Sequence, residues 1–165
     1  MINVFLTSMG VQITKWLEHI WLAIEPLLNS WNDRVRVSAV KITPILIKIM
    51  KDAGMHDQIS NLSRILIARL WKGMDEESDS EVLVEQGKAL QKVVEESGKI
   101  MSNEELEEFY KKCLSHLQAS DKRKQLTETH KDDEEDDEPE IDQIIEEDKD
   151  KEDDFHVQIA EIIGA

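Results

Sequence analysis

DRVRVSAVKITPILIKIMKDAG, residues 33–54, reads two ways, and the class of the whole chain turns on the choice. Val35, Val37, Val40 and Ile42, then Ile45, Ile47 and Ile49, alternate in part with polar residues, as a half-buried strand would. Three features oppose a strand. The run is long, the alternation breaks at Ser38-Ala39, and Pro44 does not suit a central strand. A helix buried on two sides shows this broad apolar coverage. Gly54 provides a natural stop, and Asn32 or Asp33 a natural N-cap. The expected class is therefore all-α.

The flanking segments agree. Residues 11–31 are expected to form one amphipathic helix, because Ile13, Trp16, Leu17, Ile20, Ile24, Leu27, Leu28 and Trp31 recur at steps of three and four. Pro26 should bend or shorten it. Residues 56–72 carry Ile59, Leu62, Leu66 and Leu70 on one line, widened by Ile65 and Trp71, with Gly73 as the expected end. A polar turn over 75–79 leads to a helix over 80–97 with Leu83, Leu90 and Val94 inward, flanked by Val82, Ala89 and Val93. Gly87 inside it costs roughly 1 kcal/mol relative to Ala and is expected to mark a close helix contact. Ser102 and Glu105 form a capping box that opens a helix through Leu106, Phe109, Tyr110, Cys113, Leu114 and Leu117. Trp16, Trp21, Trp31 and Trp71 fall at helical positions and are read as core rather than as a groove for phenylalanine-rich peptides.

Charge is distributed unevenly. The 165 residues carry a formal charge of -16. Residues 132–154 hold 16 acids against Lys149 and Lys151 only, so -14 sits there and -2 elsewhere. Such a block attracts basic protein segments in a salt-dependent way and repels phosphate backbones, so nucleic acid is not expected as a direct partner. Three readings stay open: a solvated spacer, a contact surface for basic partners, or a mask over a basic or concave surface of the same chain. Single exposed ion pairs give about 0–1 kcal/mol, so affinity would have to come from many together. The contact residues expected are Asp132, Asp133, Glu134, Glu135, Asp136 and Asp137, with Ile141, Ile144 and Ile145 as a short docking turn. The domain plan is helical repeats over 1–126, a disordered acidic insertion over 127–154, and the start of a further helix over 155–165, carrying Phe155, Ile159, Ile162 and Ile163.

Nothing in the sequence points to an enzyme. There is no Gly-x-Ser-x-Gly, no phosphate-binding glycine loop and no Gly-x-Gly-x-x-Gly. Asp148, Asp150 and Glu152 begin like an EF-hand loop, but Asp153 stands where glycine is needed and Ile159 where glutamate is needed. Cys113 and His116 share a helix face without a second pair, so a buried cysteine beside a surface histidine is expected rather than zinc. One cysteine permits no internal disulfide, which fits a reducing compartment. The N-terminus lacks a basic n-region, and residues 1–14 are too short to span a bilayer. No cofactor, metal or membrane insertion is expected.

Two blocks, residues 28–54 and 70–98, share a layout of helix end, polar turn with Asp, second helix and closing Gly. Gly54 and Gly98 lie 44 residues apart, within the roughly 40–47 residue period of HEAT and armadillo arrays. Phe5-Leu6 and Ile162-Ile163 leave neither end polar, so a longer array or a partner is expected. At this point residues 33–54 resemble a HEAT repeat of the importin-beta family, and DSEVLVEQGKALQKVVEESGKIMSNEELEEF, residues 79–109, resembles the karyopherin beta 3 branch. The acidic block followed by Phe155 is similar to a charged insertion in that branch, and the likeness extends over about residues 28–163.

The resemblance implies an armadillo-like α-solenoid segment of HEAT type in a nuclear transport receptor, or a piece of one. Its implied partners are basic cargo proteins carrying import signals, the GTPase Ran, and phenylalanine-glycine nucleoporins. The implied location is cytoplasm and nucleus, with shuttling through the pore. The family also implies that Glu81, Glu85, Glu95 and Glu96 lie on the second helix of a repeat, which faces the concave side; a plain solvated face is the alternative for them. Two other functions stand beside transport: a generic HEAT scaffold such as a phosphatase regulatory subunit, and an acidic chaperone for histones or ribosomal proteins.

Overall fold

The computed structural model describes the backbone of residues 2–97, 100–133 and 139–164, and the side chains of 4–97, 100–125 and 149–164. Every regular element among the described residues is helical: α1 (Ile2–Met9), α2 (Leu17–Ile24), α3 (Asp33–Val40), α4 (Thr43–Asp52), α5 (His56–Glu76), α6 (Ser80–Ser97), α7 (Asn103–Asp133) and α8 (Pro139–Gly164). Two 3-10 segments, Gly10–Trp16 and Glu25–Asn29, flank α2.

Residues 33–52 are helical as the sequence predicts, but in two pieces. Pro44 lacks an N–H and its ring would crowd a preceding carbonyl, so it takes the first turn of α4, where no donor is needed. The Thr43 hydroxyl donates to the Val40 carbonyl at 2.9 Å across the break. Asn32 caps α3, its side chain accepting from the Val35 N–H at 3.3 Å. Gly54 ends α4 at φ 70, a left-handed conformation that a β-carbon would oppose. Around it the Met55 N–H reaches the Met50 carbonyl and the Gly54 N–H the Lys51 carbonyl, the paired bonds of a Schellman stop.

Helices group into two compact units, residues 1–100 and Met101–Gly164. In the first, α5 and α6 run antiparallel, with Ser63 bonded to Ser97 at one end and Gly73 against Gln86 at the other. Helices α4 and α6 run parallel. Lys41, just before α4, meets Glu85 of α6, and Lys51 of α4 meets Glu96, 44 and 45 residues apart. Glu25 meets Arg69 between the segment after α2 and α5, again 44 apart. The shared interior is filled by Val40, Leu46, Ile47, Leu66, Leu70, Val82, Leu90 and Val93, all at most 1% exposed. Burial of such aliphatic side chains contributes about 1.5–3 kcal/mol each.

Arg36 ties two turns together. Its Nε donates to Glu77 Oε2 at 2.8 Å, one terminal nitrogen to Glu77 Oε1 at 3.0 Å, and the other to the Ser30 carbonyl at 2.9 Å. Glu77 Oε1 also accepts from the N–H groups of Ser78 and Asp79. A bidentate guanidinium-carboxylate pair with its remaining valences filled is among the stronger polar links available.

Several expected details are corrected. The helix over 11–31 is interrupted by the 3-10 segments, which turn about 120° per residue instead of 100° and rotate the stripe. Ile13, Leu17, Trp21 and Ile24 face inward, whereas Trp16 is 53% and Trp31 91% exposed, so only Trp21 and Trp71 join the core. Helix α5 passes through Gly73 and ends at Glu76.

The second unit is an antiparallel hairpin of α7 and α8. Tyr110 Oη donates to the Ile163 carbonyl at 3.4 Å, and Ser120 and Arg123 both reach Glu152. Among its described residues, Phe109, Cys113, Phe155, Ile159 and Ile162 are the buried apolar ones. The capping box forms as read: Ser102 N–H to Glu105 Oε2 at 2.7 Å and Glu105 N–H to Ser102 Oγ at 3.2 Å. The acidic stretch differs from the expectation. Helix α7 runs on to Asp133 and α8 starts at Pro139, not at Phe155. Proline suits the first helical position, and carboxylates beside a helix N-terminus are favoured by its dipole.

Candidate functional site

Two charged surfaces emerge, one in each unit. The first is an open groove of about 770 Å³ between α4 and α6. Its walls carry Lys41, Lys48 and Asp52 on one side and Glu85, Lys88, Lys92, Glu95 and Glu96 on the other, over Pro44, Ile45 and Ala89. Helical spacing puts them there: Lys88 and Lys92 are four residues apart, and Glu85 and Lys88 three.

Glu85, expected to meet a basic partner, is engaged within the fold. Its carboxylate accepts from Lys88 Nζ at 3.1 Å and lies 3.4 Å from Lys41 Nζ. Glu96 binds Lys51 Nζ at 2.7 Å, and Glu95 accepts from the Gln91 amide at 2.9 Å. Glu81 is exposed in the first turn of α6, where Asp79 Oδ1 accepts from its N–H and from that of Val82. It does not line the groove with Glu85.

The second surface lies on the hairpin that carries the acidic run. Asp132 and Asp133 are the last backbone positions of α7; their side chains lie outside the described residues, as do Glu134, Glu135, Asp136 and Asp137 altogether. The described part below the run is a polar clasp. Arg123 Nε donates to Glu152 Oε1 at 2.6 Å and a terminal nitrogen to Oε2 at 2.9 Å, with the Ser120 hydroxyl on Oε2. Lys124 pairs with Asp153. His156 Nε2 is 3.5 Å from Asp121 Oδ1, an ion-pair distance without hydrogen-bond geometry. The Arg123 guanidinium lies 5.9 Å from the Phe155 ring centre. His116, expected at the surface, is instead buried edge-on against Phe155.

Glu152 is 6% exposed, yet its carboxyl is held below the usual range. Burial alone would raise it; the bonds from Arg123 and Ser120 and the charges of Arg123 and His156 together outweigh that. Asp153 is lowered by its bond to Lys124 and by that lysine's charge. Burial pushes the Cys113 thiol up to about 11, so it is a packing residue, not a nucleophile. From charge alone Glu152 is one more acid of the block, so charge does not reveal the clasp. A signal existed: Arg123-Lys124 and Glu152-Asp153 are dipeptides of opposite charge whose midpoints lie equally far from residue 138.

No helix among the described residues is long and apolar enough to cross a membrane. No protein-family model and no curated protein matches the chain.

Proposed function

We propose that this chain is a HEAT-type segment of an importin-beta-like nuclear transport receptor, of the karyopherin beta 3 branch, that helps carry basic cargo into the nucleus. The observation that carries the reading is the stagger of 44 to 45 residues between the parallel helices α4 and α6, with Glu25 and Arg69 paired at the same spacing. HEAT arrays stack like helices on like at roughly that period, so the stagger supports the likeness already seen in residues 33–54 and 79–109. The hairpin of α7 and α8, with the acidic run between its arms, supports the second half of the reading.

On this reading Asp132, Asp133, Glu134, Glu135, Asp136 and Asp137 act as an electrostatic contact for basic import signals, summing many weak pairs. The GTP form of Ran and phenylalanine-glycine nucleoporins are the other partners, and the protein moves between cytoplasm and nucleus. Titration of the 165-residue protein with Ran in its two nucleotide states and with a labelled basic import-signal peptide tests it. The expected result is preference for Ran-GTP, and loss of peptide affinity when the six acids become Asn and Ser. Indifference to nucleotide, or unchanged peptide affinity, would overturn it; peptide binding with no Ran dependence is what an acidic chaperone would show.

A further inference from the structure

We infer that Ser78, in the turn between α5 and α6, is a phosphorylation site for an acid-directed serine kinase, and that its phosphate takes Arg36 from Glu77. The inference goes beyond the import reading and does not rest on it. Glu77, Ser78 and Asp79 are the non-helical residues between the last residue of α5 and the first of α6. An exposed turn is where a kinase cleft can reach a hydroxyl. Ser78 is exposed, and its side chain makes no hydrogen bond among the described residues. Asp75, Glu76 and Glu77 precede it and Asp79 and Glu81 follow, so five acids and no base stand within three residues of it. A kinase that reads its substrate through a basic cleft is matched to that charge. Ser80 shares several of these acids but is half-buried at the first position of α6. Ser102 also has acids after it, but its hydroxyl is engaged in the capping box.

The fold gives the phosphate a destination. Ser78 and Arg36 line one open cavity of about 320 Å³, with Asn29, Gln86, Glu76 and Glu77. Arg36 is bidentate on Glu77 there and also holds the Ser30 carbonyl. Phosphoserine carries about -1.5 to -2 charge and three acceptor oxygens, against the single charge of Glu77. The guanidinium fork fits a phosphate as well as it fits a carboxylate. Arg36 therefore moves to the phosphate, and like-charge repulsion displaces the Glu77 carboxylate in the same sense. In the transfer the Ser78 oxygen attacks the γ-phosphorus of ATP. The new O–P bond forms, the bond to the bridging oxygen breaks, ADP leaves, and the hydroxyl proton passes to the carboxylate base of the kinase.

The test incubates the 165-residue protein with ATP and a serine kinase of acidic preference, then maps the tryptic peptide 73–88 by mass spectrometry. One phosphate on Ser78 is expected. It is absent in Ser78→Ala and enters roughly fivefold more slowly in Glu81→Gln. Ser78 and Glu81 are exposed, so circular dichroism of both variants should match the parent. The second readout is the Arg36 Nε–H signal in proton–nitrogen NMR, assigned by its loss in Arg36→Lys. It should shift on phosphorylation and return after phosphatase treatment, while the Arg123 signal stays in place. Phosphate on Ser80 instead, none in peptide 73–88, equal rates in Glu81→Gln and the parent, or an Arg36 signal that does not move would overturn the proposal. Neither Ran nor cargo enters the assay, so failure here leaves the import reading standing, and the reverse.

Discussion

Gln86 is 3% exposed in α6, with its amide nitrogen over the α-carbon of Gly73 in α5. A β-carbon at position 73 would stand 2.6 Å from that nitrogen, so the buried Gln86 amide would have to move aside. Gly73 is thus a contact glycine rather than a helix stop. Single sequences cannot separate these roles, since both use the missing side chain; only the partner across the helix pair does. Gly73→Ala is expected to lower unfolding free energy by about 1–3 kcal/mol in urea denaturation. Removing the obstacle with Gln86→Ala in the same chain should make the alanine at 73 nearly neutral relative to Gln86→Ala alone. An equal loss in both backgrounds would mean that the contact does not limit helix approach. Gln86 Oε1 has no hydrogen-bond partner among the described residues, so truncating the side chain also removes a buried unsatisfied acceptor.

Elements were legible where local chemistry alone sets them. The Ser102-Glu105 box, the Asn32 cap and the Gly54 stop are decided by groups within a few residues, and each forms as read. The start of α8 was not legible from charge. Acids over 140–154 read as solvated chain, yet Ile141, Ile145, Glu152, Phe155, Ile159 and Ile162 continue one helical spacing through them. Glu152 sits on that inward line because Arg123 and Ser120 of α7 satisfy it. Its carboxyl titrates lower folded than unfolded, so protons bind the unfolded chain more readily. Its stabilisation is therefore complete above the ordinary glutamate value, about 4.3, and lost as pH falls through the depressed folded value. Melting followed between pH 7 and strong acid should show α7-α8 losing stability below that value. Glu152→Gln should weaken the hairpin at pH 7 and flatten this acid limb; an unchanged limb would place the acid sensitivity elsewhere.

At the scale of the molecule, Gly54 and Gly98 lie 44 residues apart in the sequence, and the ion pairs Lys41–Glu85, Lys51–Glu96 and Glu25–Arg69 span 44 or 45. Where the second unit departs from the sequence plan, the hairpin is held by a buried polar clasp, which carries no period. The site divides the same way. The acids of the 132–137 run stand out by composition, while the lysines of the α4–α6 groove become a set only once the two helices lie side by side.

Parallel stacking of α4 and α6 at that stagger is the claim on which the import reading builds, and cysteine cross-linking tests it most directly. Buried Cys113, its thiol raised to about 11, stays out of the reaction. A short bis-maleimide should join the added thiols of K51C/E96C and of E25C/R69C. It should fail with K51C/E81C, because position 81 lies about 22 Å further along α6 at 1.5 Å per residue. Linkage of K51C/E81C with none in K51C/E96C would mean that α4 and α6 run antiparallel, and would contradict the account.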